Sequence, residues 1–242
     1  EEERNRVLAK ALEEAERTNL AKTSFLSNMS HELRTPMNAI MGLYNLALRK
    51  PDLDADTKNL LTQMGEGSKH LLSLINDILD MSLIESGKLK MKHDKFSFSN
   101  MVEQINTMTE FQCSEKGISF ECIVEGHLDD FYIGDDMKIK QALLNILDNA
   151  VKYTPQSGSV EFLIREMERN DKDATVNFVI KDTGVGIDDS YLPLLFEPFS
   201  KASEGTSNRA GSTGLGMAIT QNIVNMMSGT IAVDTKRDVG TT

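Results

Sequence analysis

A histidine, a carboxylate and a hydroxyl lie close together in the segment S-H-E-L-R-T-P, which runs from Ser30 to Pro36. The neutral imidazole of His31 is nucleophilic near neutral pH, and Glu32 could take or orient the proton on one ring nitrogen while the other attacks phosphorus. In a helix, Thr35 lies one turn beyond His31, where its hydroxyl could hold a water against a phosphohistidine. The segment predicts a phosphoryl-accepting histidine; an ordinary exposed helix histidine is the alternative for any single His.

A second polar group lies in N-I-L-D-N-A-V-K-Y-T-P, from Asn145 to Pro155. Asn145 and Asn149 are four residues apart in a predicted helix, so their carboxamides share one face. Mg²⁺ prefers oxygen ligands and keeps several positions for water and phosphate, which suits neutral amide oxygens. Lys152 lies on nearly the same face and could bind phosphate oxygens. The pattern favours a magnesium and phosphate site; plain surface polarity is the alternative.

A carboxylate and two glycines follow an alternating strand in D-T-G-V-G-I, from Asp182 to Ile187. A carboxylate at a strand end can accept a hydrogen bond from the exocyclic amine of adenine, whereas guanine offers a carbonyl there. Gly184 and Gly186 allow tight turns and close approach of the backbone to a ligand. Taken alone, this string could mark any junction between a strand and a turn.

A further glycine-rich string, S-T-G-L-G-M, runs from Ser212 to Met217 and leads into a predicted helix. Gly214, Leu215 and Gly216 could therefore meet phosphates with backbone amides and a helix dipole. The chain has no G-x-x-x-x-G-K-[ST] string, which excludes a P-loop enzyme. It also lacks the H-R-D and D-F-G strings of the Ser/Thr/Tyr kinases.

These four strings, in this order and spacing, resemble the sensor histidine kinases of two-component signalling over nearly the whole chain. The resemblance implies that His31 is the phosphorylated histidine, Glu32 the acid–base carboxylate and Thr35 the phosphatase threonine. It also implies phosphoryl transfer from His31 to an aspartate of a receiver domain. The run F-L-S-N-M-S-H-E-L-R-T-P-M-N-A-I-M-G is most similar to kinases of the hybrid type, whose receiver lies downstream on the same chain.

The resemblance further implies that ATP is bound with Mg²⁺. Asn149 would be the magnesium ligand with Asn145 beside it as a second candidate, Lys152 and Tyr153 would lie near the phosphates and the base, and Asp182 would contact adenine. The implied nucleotide-binding residues are Asn145, Asn149, Lys152, Tyr153, Asp182, Gly184, Gly186, Lys201, Thr213, Gly214, Leu215 and Gly216.

Between the last two strings, residues 200–213 contain almost nothing apolar, which predicts a mobile loop. Lys201 at its start is a candidate cation for the γ-phosphate. Two positions depart from the commonest family pattern: Ser212 stands where glycine is usual and Met217 where leucine is usual. These departures affect the expected geometry of this loop, the lid of the family's nucleotide site, and not nucleotide binding itself.

Apolar residues recur at helical spacing from Val7 to Leu48 and predict one long amphipathic helix, which Pro36 should bend. After a break at Lys50–Asp54 a second helix runs to Gly87. Its predicted inward-facing residues are Leu60, Leu61, Met64, Leu71, Leu74, Ile75, Ile78 and Met81. Two helices leave part of this stripe uncovered, so we expect two hairpins to pair as a four-helix bundle in a homodimer. An intramolecular coiled-coil hairpin is the alternative.

Beyond Lys88, short β-like runs alternate with helical stretches. The predicted strands are Phe96–Phe98, Ile118–Val124, Phe131–Ile133, Val160–Arg165, Ala174–Lys181 and Thr230–Val233, and the predicted helices are Asn100–Lys116, Asp136–Tyr153 and Leu215–Met227. This mixture indicates an α/β sandwich with helices on one face of a sheet. We therefore expect a coiled-coil signalling helix over 1–22, a dimerisation and phosphotransfer hairpin over 23–90 and an ATP-binding domain over 96–242 with its last strand truncated.

The formal charge of −11 argues against nucleic-acid binding, which needs a basic surface. No apolar run is long enough to span a membrane, so we expect no direct membrane contact from these residues. Because the chain begins without Met and ends at G-T-T, we expect a longer parent protein, which the resemblance places in the bacterial inner membrane with this portion in the cytoplasm. Two rival functions remain: a clamp ATPase of the same superfamily, and a scaffold with a degenerate pocket.

Overall fold

The computed structural model describes residues 4–6, 29–30, 32–50, 53–170, 173–201 and 213–242. The chain divides into two compact units. One comprises the described residues up to Leu89 together with those of Arg209–Leu215, and the other those of Lys90–Asn208 and Gly216–Thr242. Across the described ranges, no helix combines the length and apolar character needed to cross a membrane.

The first unit is a helical hairpin. Residues 32–48 are helical (α1), and α2 spans Ala55–Glu85. Asp54 caps α2, because its carboxylate accepts hydrogen bonds from the backbone N–H of Thr57 at 2.8 Å and from the Thr57 hydroxyl at 2.6 Å. The predicted break between the helices is confirmed. Residues 4–6 are also helical, but 7–28 and His31 lie outside the described residues, so the single long helix stays a prediction.

The hairpin packs closely in places and leaves an apolar stripe uncovered in others. Gly65 lies so close to the ring of Tyr44 that an added Cβ would collide with it, while Met37 and Ile75 are buried. The guanidinium of Arg34 donates to the Asn76 carboxamide oxygen at 3.1 Å and links the two helices. The exposed apolar residues are Leu33, Ile40, Leu43, Leu46, Leu60, Met64, Leu71 and Ile78. One hairpin therefore buries only part of its own apolar surface.

The second unit is an α/β sandwich, as predicted. Its helices are α3 (Phe98–Lys116), α4 (Asp136–Tyr153) and α5 (Gly216–Met226). Its strands are β1 (Asp94–Ser97), β2 (Ser119–Glu125), β3 (Phe131–Gly134), β4 (Ser159–Arg169), β5 (Ala174–Asp182), β6 (Thr235–Lys236) and β7 (Gly240–Thr241). Strands β1 and β3 form a small antiparallel sheet, and the main sheet has the order β2-β4-β5-β7-β6. Strand β2 runs parallel to β4, and the other pairs are antiparallel.

The core of this unit lies between the helices and the main sheet. Ile105 of α3, Leu147 of α4, and Phe162 and Ile164 of β4 are fully buried in one cluster. The side chain of Asp135 caps α4 by accepting from the backbone N–H of Lys138 at 3.1 Å. Because the apolar residues of α4 face the sheet, its polar residues are left for a site on the other side.

One predicted strand is wrong. Residues 230–233, Thr-Ile-Ala-Val, include three β-branched side chains typical of strands, yet they form no strand, and the final strands are β6 and β7. The antiparallel ladder of β6 and β7 pairs Thr235 with Thr241 and Lys236 with Gly240, and residues 230–233 have no ladder partner among the described residues. Residue types that favour strands cannot by themselves supply the ladder hydrogen bonds that define one.

Candidate functional site

The polar face of α4 carries both predicted amide residues. The side-chain nitrogen of Asn145 donates to the carbonyl of Gly216 at 3.1 Å and to the hydroxyl of Thr220 at 3.3 Å. Asn149, one turn further on, is half-buried, and its side chain makes no hydrogen bond to the described residues. Asn145 thus joins α4 to the start of α5, whereas the Asn149 carboxamide is available for a ligand.

Two lysines gather near the end of α4. Burial lowers the pKa of Lys152, and repulsion from Lys201 lowers this pKa further. The Lys152 ammonium lies 5.3 Å from the centre of the Tyr153 ring, within the range of a cation–π contact. An anion bound near both ammonium groups would offset this repulsion.

Asp182 ends β5 beside the last residues of α4. Its carboxylate accepts a hydrogen bond from the backbone N–H of Gly184 at 2.7 Å. Burial raises the pKa of Asp182, and hydrogen bonds from the backbone N–H groups of Gly184 and Thr241 oppose this rise. A half-buried carboxylate with remaining acceptor capacity can receive a hydrogen bond from a ligand amine.

The two glycines of this string are needed for contacts within the protein. A Cβ on Gly184 would lie 2.9 Å from the carbonyl oxygen of Tyr153 and 2.6 Å from the Asp182 carboxylate. Gly186 has φ +68° and lies against the carbonyl of Lys236, where a Cβ would collide. Both glycines therefore allow the turn after β5 to pack against its neighbours, in addition to any approach of a ligand.

The last glycine string is divided between the two units. Gly216 begins α5 beside Asn145, whereas Thr213, Gly214 and Leu215 group with the helical unit. The Thr213 hydroxyl accepts from the backbone N–H of Leu215 at 2.9 Å, and Gly214 has φ +71°. Ser212 and the rest of 202–212 lie outside the described residues, so the predicted mobile loop stays a prediction.

The phosphoacceptor segment is described in part. Glu32 and Thr35 are exposed on α1, and Pro36 lies inside this helix. His31 itself is outside the described residues. In the α/β unit, by contrast, Gly216 lies beside Asn145 in the middle of α4, and Lys201 and the turn after β5 lie near Lys152 and Tyr153 at its end.

Two residues at this site were not foreseen from the sequence. Thr220 is fully buried on α5 and contacts Asn145, and Lys116 at the end of α3 donates to the carbonyls of Val151 and Lys152. Thr220 lies one turn after Gly216, so helical spacing offered a signal for it. The role of Lys116 depends on packing between α3 and α4, and no local pattern indicates it.

The donor groups fit a magnesium ion that is bound largely by phosphate and water. The described residues contain no group of three or more His, Cys, Asp or Glu side chains that could hold a metal ion. The amide oxygens of Asn145 and Asn149 are neutral hard donors on one helix face, which suits Mg²⁺ beside phosphates.

Comparison with known families identifies both parts of the chain. Residues 21–87, which include His31, match the His Kinase A (phospho-acceptor) domain, and residues 134–242 match the histidine kinase-, DNA gyrase B-, and HSP90-like ATPase family. The chain therefore belongs to the histidine kinases, and the predicted class, an ATP-dependent protein histidine kinase, is confirmed.

Its curated relatives are sensor kinases. The chain is 36% identical to the autoinducer 2 sensor kinase/phosphatase LuxQ of Vibrio vulnificus over 96% of this chain and 27% of the relative. It is 34% identical to the signal transduction histidine-protein kinase BarA of Escherichia coli, over 91% of this chain and 24% of BarA. The chain thus spans about a quarter of the length of these relatives.

Solved structures share the fold. Full-length ShkA in complex with AMPPNP is 27% identical, with a TM-score of 0.67 over 89% of this chain and 43% of ShkA. The Acinetobacter baumannii histidine kinase AdeS is 24% identical, with a TM-score of 0.55 over 87% of this chain and 94% of AdeS. At this identity the likeness is evidence for the fold only. The predicted helical region followed by an α/β ATP-binding domain is confirmed.

Proposed function

We propose that this chain transfers the γ-phosphoryl group of ATP to His31 and then passes it to an aspartate of a response-regulator receiver domain. The observation that carries the proposal is the cluster at the end of α4. There Asn149, Lys152 and Lys201 offer an oxygen donor and two cations, and Asp182 offers an adenine acceptor nearby. The segment S-H-E-L-R-T-P supplies a histidine that can accept the phosphoryl group. A clamp ATPase, the rival function from the same superfamily, would not need this histidine.

Each side chain of the cluster has a distinct role toward the nucleotide. The ionised Asp182 carboxylate accepts a hydrogen bond from the adenine amine, while Gly184 holds the carboxylate through its backbone N–H. Lys152 and Lys201 bind phosphate oxygens, which relieves the repulsion between the two ammonium groups. Tyr153 packs beside Lys152 at the boundary between base and phosphates.

Asn149 is the proposed magnesium ligand, and Asn145 is a second candidate. Both would present a carboxamide oxygen, and phosphate oxygens and waters would complete the coordination. When bound, Mg²⁺ neutralises charge on the phosphates and so lowers the barrier to phosphoryl transfer.

At the acceptor, one ring nitrogen of His31 forms a bond to the γ-phosphorus as the bond to the bridging oxygen breaks and ADP leaves. Glu32 takes or orients the proton on the other ring nitrogen. Because phosphoryl transfer needs little covalent help, positioning and charge neutralisation supply most of the catalysis.

The helical hairpin is proposed to pair with a second copy. Leu43, Leu60 and Met64 are among its exposed apolar residues, with 68, 62 and 59% of their surface accessible. Burying this stripe against the same stripe of another chain gives a four-helix bundle with closed symmetry. Together with this pairing we propose the limits of three parts of the chain: 1–22 for a coiled coil, 23–90 for the hairpin and 96–242 for the ATP-binding domain.

We infer the receiver partner and a phosphatase activity from the acceptor helix and its resemblance to the family. Thr35 is exposed one turn after His31, where it could hold a water in line with the aspartyl phosphate of a docked receiver. We infer a phosphatase role for Thr35, supported by the kinase/phosphatase name of the relative LuxQ. A receiver on the same parent chain is the arrangement that the hybrid resemblance favours.

Incubation with γ-labelled ATP tests the proposal directly. Label on the protein that is lost in acid and kept in alkali indicates phosphohistidine. ATP hydrolysis without label would instead indicate a clamp ATPase, and the absence of nucleotide binding would indicate a scaffold.

A further inference from the structure

The carboxamide of Asn145 has one chemically permitted orientation. A carbonyl oxygen only accepts hydrogen bonds, so the atom of Asn145 that lies 3.1 Å from the Gly216 carbonyl must be the nitrogen. The same nitrogen lies 3.3 Å from the hydroxyl of Thr220. The carboxamide oxygen is therefore left for a cation.

Thr220 holds this arrangement from inside the protein. Its side chain is fully buried on α5, and its hydroxyl proton goes to the Gly216 carbonyl at 2.8 Å. The hydroxyl oxygen consequently faces Asn145 as an acceptor. Without it, the side-chain nitrogen of Asn145 would keep one acceptor, Gly216, in place of two.

We propose that Thr220 is a positioning residue that acts through Asn145, fixing its carboxamide so that the oxygen faces the bound magnesium–nucleotide complex. This inference rests on the proposed ATP and magnesium function of the same site. Thr220 touches neither nucleotide nor metal. It acts on the metal-dependent part of nucleotide binding and leaves the adenine contact of Asp182 unchanged.

The test is calorimetric titration of the whole chain with a non-hydrolysable ATP analogue, with and without Mg²⁺. Thr220→Val keeps the shape of the side chain and removes the hydroxyl, and Thr220→Ser restores the hydroxyl. For Thr220→Val we expect magnesium-dependent affinity to fall about three- to tenfold, the effect of losing one hydrogen bond, with metal-free affinity preserved. Thr220→Ser should restore the magnesium-dependent affinity.

A matched control is available on α3. Thr109 is also buried, and its hydroxyl donates to the carbonyl of Ile105 at 2.9 Å, as Thr220 donates to that of Gly216. Thr109→Val therefore makes the same chemical change away from the site and should leave the effect of magnesium unchanged. A fall of the same size in this control would overturn the proposal.

A double-mutant cycle separates positioning from general damage. In an Asn145→Ala background, Thr220→Val should cause no further loss of magnesium-dependent affinity, because its target is gone. An additional loss there, or an equal loss with and without magnesium, would show that Thr220 is merely structural. The midpoint of thermal unfolding is measured for each variant to check that it is folded. If Thr220→Val does not fold, Thr220→Ala replaces it in the same titrations. A wild-type chain that binds no analogue would refute the proposed function, whereas wild-type binding with an unaffected valine variant would refute only the role of Thr220.

Discussion

The ammonium of Lys116 donates a hydrogen bond of 2.7 Å to the carbonyl of Lys152, and a second of 2.6 Å to that of Val151. These carbonyls belong to the last turn of α4, where helix carbonyls lack partners within the helix. A cation there also interacts favourably with the helix dipole. Lys116 thus fixes the backbone at the end of α4, from which Lys152 and Tyr153 extend at the proposed nucleotide site.

Lys116→Met should lower the free energy of unfolding of the α/β unit by about 1–2 kcal/mol, because charged hydrogen bonds to the end of α4 are lost. Affinity for an ATP analogue should also fall, since the end of α4 loses its fixed position. Lys140→Met is the control, because Lys140 is a surface lysine whose ammonium contacts Gln104 at 2.6 Å. Denaturant unfolding and calorimetry measure the two effects; equal losses in both variants would contradict the role of Lys116.

His31→Gln should abolish labelling by γ-labelled ATP and leave nucleotide affinity near normal, because the imidazole is the proposed acceptor and no part of the proposed pocket. His70→Gln, a change of the same kind on α2, should label normally. Autoradiography of the acid-treated and alkali-treated protein is the measurement. Normal labelling of the His31 variant would show that another residue accepts the phosphoryl group.

Nucleotide affinity should depend on pH through Asp182. Burial raises the pKa of this carboxyl above the usual aspartate range, so it becomes protonated in the free protein at a higher pH than an exposed aspartate. The proposed contact with adenine needs the ionised form, and affinity should therefore decrease as the pH falls through this raised pKa. The free energy of unfolding changes in the opposite sense, since a group with a raised folded-state pKa stabilises the fold as the pH falls.

Calorimetry of wild type, Asp182→Asn and Asp188→Asn across a pH series checks this prediction. The Asp182 variant should bind weakly and show little pH dependence. Asp188 is a suitable control, because hydrogen bonds from Ser190 keep its pKa below the usual range. A pH profile in Asp182→Asn equal to that of the wild type would assign the titration to another group.

Thr35→Ala should separate two activities that share His31. In the proposed mechanism, transfer to the histidine uses Glu32 and the ATP-binding domain, so autophosphorylation should stay near normal. Dephosphorylation of the receiver should slow roughly a hundredfold, the usual effect of losing one positioning hydrogen bond at a transition state. Thr62→Ala is the matched control, a helix threonine whose hydroxyl donates to the carbonyl of Lys58.

Thermal midpoints must accompany these rates, because Thr35 precedes Pro36 in α1. Loss of both activities in a stably folded Thr35→Ala chain would mean that Thr35 shapes the helix and does not hold a water.

Leu60→Asp should shift the chain from dimer to monomer, because it places a charge in the apolar stripe that a second hairpin would cover. Asn59→Asp introduces the same charge at the neighbouring exposed position and should leave the dimer intact. Sedimentation at several protein concentrations measures both. A wild-type chain that is monomeric at micromolar concentration would exclude the four-helix bundle.

The sequence by itself determined the local features of the site. The α4 limits Asp136–Tyr153 were predicted correctly, and so was the shared face of Asn145 and Asn149, because helical periodicity is a property of neighbouring residues. The four strings likewise determined the class of protein, since each is a short contiguous segment whose chemistry is carried by its own side chains.

Only the tertiary structure decided how these segments meet. The interactions of the site are between residues that are far apart in sequence. Asn145 donates to Gly216 and Thr220, Lys152 is repelled by Lys201, and Gly184 contacts Tyr153. The wrong strand at 230–233 has the same origin. Hydrogen-bond partners across helices and strands are set by packing and register, and no local pattern of residue types specifies them.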